Sequence, residues 1–126
     1  MDDEELGKLV LDCAFKVHSD LGPGLLESAY ETCLSYELRQ CDVQVERQVV
    51  LPIHYNDVVL DAGYRIDLFV GDRIVVELKA VEKLTELHQA QLLSYLKLGD
   101  YWLGYLLNFN VKSMKEGIKR IVNGFR

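Results

Sequence analysis

The segment from Tyr64 to Lys79 limits what this chain can become more than any other. It holds two apolar runs of strand character joined by a Gly71-Asp72 turn signal. Asp67 interrupts the first run, and Glu77 and Lys79 are set two residues apart in the second. Side chains alternate across a strand, so Glu77 and Lys79 share a face while Val76, Leu78 and Ala80 point the other way. A carboxylate and an ammonium within such a strand are costly to bury unless they are paired or bind an ion. Two carboxylates beside a lysine make a hard-cation site with a positive group next to it, the chemistry of metal-assisted phosphodiester cleavage.

The loop between the two runs decides whether that site can form. A two-residue turn at Gly71-Asp72 would set Asp67 opposite Val76 and leave Glu77 on the other face, since a one-residue slip flips every side chain. A shared face therefore requires a three-residue loop, Gly71-Asp72-Arg73, or a bulge near Asp67. Either device would place Gly71 or Asp72 at positive φ.

The rest of the chain reads as one α/β domain over residues 1–126. Asp2 or Asp3 can cap a first helix of about residues 4–19, and Leu21-Gly22-Pro23-Gly24 then breaks the chain. A second helix is expected over about 25–40. Strand character runs from Val43 to Tyr55, interrupted by Pro52, and strands follow near 58–61, 64–70 and 73–80. Thr85 caps a third helix of about 86–98. Tyr101 to Phe109 is an aromatic-rich strand, and the tail holds a short turn near 113–117 and a strand at 118–122.

Composition narrows the class. A chain of 126 residues, 49% of them hydrophobic, can bury a core and is not disordered. No apolar run approaches a membrane span, and the acidic start is unlike a signal peptide. Cys13, Cys33 and Cys41 show no ligand spacing and read as reduced thiols of a cytoplasmic protein. Three scattered histidines argue against zinc. The net charge of −6 is uneven: residues 1–96 carry 8 basic and 18 acidic side chains, and residues 97–126 carry 6 and 2. Nucleic-acid binding draws on Lys and Arg neutralising phosphates, so contact would be weak or localised. Lys112, Lys115, Lys119, Arg120 and Arg126 offer either a small phosphate-facing patch or an ordinary solvated surface.

Asp67 followed by Glu77-Leu78-Lys79 resembles the D…ExK signature of the PD-(D/E)xK nuclease superfamily. Gly24-Leu25-Leu26-Glu27-Ser28-Ala29-Tyr30 is similar to the GxxExxY motif of a family of small bacterial and archaeal proteins within it. Gln91 and Tyr95 match the QxxxY helix motif of the RecB-like exonuclease branch. The usual proline before the aspartate is replaced by Ile66. The resemblance spans about Leu21 to Val122. It implies a restriction-endonuclease-like core, a central mixed β-sheet flanked by α-helices.

The resemblance also implies roles. Asp67 and Glu77, with the carbonyl of Leu78, would hold Mg2+ or Mn2+, with Glu27 as a further acidic ligand or a group orienting the attacking water. Lys79 would act on that water or on the charge of the phosphate, supported by Gln91. Arg65, Tyr30 and Tyr95 would meet the substrate, with Arg65 on the face of Asp67 if the strand is regular. Glu27, Asp67, Glu77, Lys79 and Gln91 are expected to converge on one cleft, with Tyr30 and Tyr95 on its walls. Each has a plainer reading: Glu27 as a helix-start acid, Tyr30 as a core aromatic, Arg65 as a neutralising charge, and Gln91 with Tyr95 as a helix boundary pair. The expected activity is nucleic-acid hydrolysis. The alternatives are a catalytically silent module of the same fold that binds nucleic acid or protein, and a structural homodimer.

Overall fold

The structure is a computed structural model, described here for residues 1–60 and 64–124. Helix α1 (Asp3–Leu21) starts where the Asp2 carboxylate accepts the N–H of Glu5 at 2.8 Å. Helix α2 (Glu27–Gln40) follows the Gly-Pro-Gly break. Strand β1 (Val45–Val50) ends before Pro52, and the short β2 (Ile53–Tyr55) and β3 (Val58–Leu60) form a separate two-stranded ribbon. The last residue of the expected 58–61 strand lies outside the described residues.

Strands β4 (Arg65–Val70) and β5 (Ile74–Lys79) are antiparallel neighbours. Helix α3 (Glu86–Gly99) opens with Thr85 and His88 capping each other, which occupies the ring nitrogen of His88 at the Thr85 N–H. It carries the chain over to β6 (Leu103–Asn108), which lies parallel to β5. A 3-10 turn at Met114–Gly117 leads into β7 (Ile118–Val122), antiparallel to β6. The five-stranded sheet has the order β1-β4-β5-β6-β7 and is mixed, as expected.

Two cores sandwich this sheet. On one face Leu6, Val10, Ala14 and Val17 of α1 and Leu34 and Leu38 of α2 pack with Leu68, Ile74, Val76 and Leu107. On the other, Leu92 and Leu96 of α3 pack with Phe69, Val75 and Leu106. The period-two alternation of β5 produces this division: Ile74, Val76 and Leu78 serve the first core and Val75 serves the second. Glu77 and Lys79 follow Val75 toward the α3 side. Among the described residues no helix is long and apolar enough to cross a membrane.

Candidate active site

The β4–β5 loop has three residues. Val70 pairs with Ile74, Phe69 with Val75 and Leu68 with Val76, and Gly71 and Asp72 have φ of 59° and 56°. That register brings Asp67 opposite Glu77. The backbone ladder stops at Leu68, and side chains take over. The N–H of Leu78 donates to Oδ2 of Asp67 at 2.9 Å, and the N–H of Asp67 donates to Oε1 of Glu77 at 3.3 Å. The Asp67 carboxylate is thus held in the opening between two central strands.

A second irregularity faces it from β1. The β1–β4 register runs from Val45↔Val70 to Arg47↔Leu68, omits Gln48 and Asp67, and resumes at Val49↔Ile66. Gln48 has φ 53°. The strand pair changes face there: Val45 and Leu68 pack on the α1–α2 side, whereas Val49 and Ile66 pack on the α3 side. A regular pair would keep residues of one parity on one face. The regular strand on which the expected placement of Arg65 depended is therefore absent; Arg65 is exposed at the start of β4.

Sequence reasoning missed Gln48, Glu31 and Arg47. The Gln48 amide donates to Oε1 of Glu31 at 2.6 Å and to Oδ1 of Asp67 at 3.2 Å. Glu31 is buried, and its Oε2 takes the Arg47 guanidinium at 2.9 Å from Nη2 and 3.0 Å from Nε. One signal for Glu31 was legible, since it lies four residues after Glu27 on the same helix face.

A cavity of about 770 Å³ opens in front of this cluster, lined by Glu27, Glu31, Gln48, Asp67, Leu78 and Ala80, with Leu25, Leu26 and Ser28 on the α2 side. Oε1 of Glu27 accepts the N–H of Ala80 at 3.3 Å, tying the start of α2 to the end of β5. Glu27 and Asp67 thus share one cavity, as expected. Glu77 and Lys79, expected in the same cleft, are not among its lining residues, and neither are Gln91 and Tyr95. Gln91 Nε2 donates to the Tyr95 hydroxyl at 3.0 Å, and both line a neighbouring cavity of about 490 Å³ with Ile53, Tyr64, Ser94, Lys97 and Leu98.

Glu77 is 6% exposed. Burial, then the charge of Asp67 and a hydrogen bond to its carboxyl, push the Glu77 carboxyl up to about 9, against the opposing influence of Lys79. Burial, followed by the charge of Glu77, raises Tyr95 above the usual phenol range, with Asp67 adding to it. Tyr95 therefore feels both acids from its own cavity.

Tyr30 corrects the expectation of a substrate contact. It is wholly buried, stacked on Phe109 with centroids 4.6 Å apart. Its hydroxyl donates to the Gly22 carbonyl at 2.7 Å and accepts the Leu25 N–H at 3.1 Å. It pins the loop before α2 and has no surface open to a ligand. In the basic C-terminal segment Arg120 pairs with Glu4 and lies 5.5 Å from the Trp102 ring centre. Lys112, Lys115 and Lys119 are exposed, and Arg126 lies outside the described residues.

Among the described residues no three His, Cys, Asp or Glu side chains form a group that could hold a metal ion. Two carboxylates joined through the Asp67 N–H still suit a hard cation, because magnesium uses one or two carboxylates and keeps several waters.

No curated protein and no solved structure matches this chain. A family model described as the PD-(D/E)XK nuclease superfamily matches residues 4–121. That span takes in the three described helices and the mixed sheet except for Asp3 of α1 and Val122 of β7, with the acidic opening between β4 and β5. The chain belongs to the PD-(D/E)XK nuclease superfamily.

Proposed function

We propose that this protein hydrolyses phosphodiester bonds of nucleic acid with Mg2+ or Mn2+. The observation that carries the reading is the buried meeting of Asp67 and Glu77: crowding two carboxyls and desolvating one serves no packing purpose. Asp67 and Glu77, with the Leu78 carbonyl, would hold the ion, and Glu27 lines the cavity of Asp67 and Leu78 as a further acidic group. A bound ion would polarise the phosphate and make water a better nucleophile. Lys79 would stabilise charge building on the phosphate or hold the attacking water. Gln91, Tyr95 and Arg65 would contact substrate from the α3 side and the start of β4. Within the superfamily, the spacing of Gly24, Glu27 and Tyr30 supports the GxxExxY family, and that of Gln91 and Tyr95 supports the RecB-like branch.

A second reading, a silent nuclease-fold module that binds nucleic acid or a protein without cutting, draws on the separation of Gln91 from the Asp67 cavity. A panel of labelled DNA and RNA, single- and double-stranded, incubated with Mg2+ or Mn2+ beside Glu77→Ala, separates the two. Metal-dependent cleavage by the wild type alone supports the enzyme. Binding without cleavage under every condition supports the module.

A further inference from the structure

Five non-glycine residues among those described have positive φ. Asp42, Asn56, Asp72 and Asp100 are residue types that tolerate this conformation, and all four lie at turns or a helix end. Gln48 is neither, for it lies within strand β1. A strained backbone at an unsuited residue persists only where the surrounding structure enforces it, and it is a pointer to function.

The contacts of Gln48 show what the strain achieves. The turn-over of β1 sets its side chain beside Glu31 and Asp67, and one amide nitrogen, with two protons to give, serves both carboxylates. Because two acceptors face that nitrogen, the amide has one orientation. Glu31 is in turn clamped by Arg47, so the chain Arg47–Glu31–Gln48–Asp67 is anchored at its far end by an ion pair. With Leu78 N–H on Oδ2 and Gln48 on Oδ1, both oxygens of Asp67 have a donor that fixes the carboxylate plane.

Resting on the metal-site reading above, we infer that Gln48 is a positioning residue: it orients Asp67 toward the cation, and its backbone strain is maintained for that purpose. Glu31, although it lines the same cavity, has both oxygens engaged and serves as the anchor for Gln48. Groups that orient a ligand in this way are typically worth about 10- to 100-fold in metal affinity.

Glycine adopts positive φ without strain, so Gln48→Gly removes the amide while relieving the backbone. Calorimetric titration with Mn2+ and a melting curve on the wild type, Asp67→Ala and Gln48→Gly test the inference. The expected result is a folded Gln48→Gly, its relieved backbone strain set against two lost amide contacts, with Mn2+ affinity about 10- to 100-fold lower. A merely structural Gln48 would move stability and leave affinity alone. Gln48→Asn, which suits positive φ but is one methylene shorter, serves if the glycine variant does not fold, and it should show the same loss. Wild-type affinity in either folded variant, with binding still lost in Asp67→Ala, overturns the role of Gln48 alone. A wild type that takes up no Mn2+ overturns the metal-site reading and this inference with it.

Discussion

Asp67 and Glu77 meet across β4 and β5 where the backbone ladder ends: the N–H of Asp67 donates to Oε1 of Glu77 at 3.3 Å. Leu78 N–H answers with a 2.9 Å bond to Oδ2 of Asp67. Each carboxyl thus takes a donor that the sheet would otherwise use for itself. In the metal-free protein the charge this concentrates is relieved by a proton, and Glu77 holds it, because it is the more buried of the two.

That proton makes stability depend on pH. The Glu77 carboxyl titrates at about 9 when folded, against an ordinary value of 4.5. Between those values the folded state binds a proton that the unfolded state has released, so metal-free stability falls as pH rises from 4.5 towards 9. Glu77→Gln keeps the neutral shape and removes the titration. It should stabilise the metal-free protein at pH 8 by about 1–3 kcal/mol and flatten this slope. Urea unfolding from pH 5 to 9 checks this, and parallel slopes for the two proteins would contradict it.

Tyr30→Phe should cost about 1–2 kcal/mol, because the Gly22 carbonyl and the Leu25 N–H both lose their partner beneath the chain. The stacked ring on Phe109 is retained, so the core itself stays filled. Since the loop precedes Glu27, the metal-dependent cleavage proposed above should fall with it. A variant as stable as the wild type in chemical denaturation would show that water replaces the hydroxyl.

Arg47→Met should destabilise by about 1–2 kcal/mol, less than for a fully buried pair because the Arg47 side chain is 37% exposed. The loss arises from leaving Glu31, whose side chain is 11% exposed, with Gln48 as its remaining donor in the cluster. Denaturant unfolding gives the cost. An unchanged midpoint would mean that Glu31 finds solvent or a proton without strain.

Much of this site could be read from residue spacing because it depends on short-range geometry. Odd loop length at Gly71-Asp72-Arg73 follows from requiring Asp67 and Glu77 on one face, and both loop residues do have positive φ. Thr85 and Pro52 marked a helix start and a strand end for equally local reasons. Gln48 could not be found this way. In sequence it is one polar residue of an exposed strand, and only the register against β4 sets it beside Asp67. The pairing of Gln91 with Tyr95 was legible from their i,i+4 spacing, and they do bond. Where α3 sits over the sheet is a matter of core packing by Leu92 and Leu96, and that packing puts the pair in the adjacent cavity.

A cation site at Asp67 and Glu77 would show itself in the effect of Mn2+ on thermal stability. A ligand that binds only the folded state stabilises it by about 2.7 kcal/mol at a hundred times its dissociation constant. The wild type should therefore melt several degrees higher in saturating Mn2+. Asp67→Ala, although folded, should show no such rise. No shift in the wild type, or an equal shift in Asp67→Ala, would contradict the account.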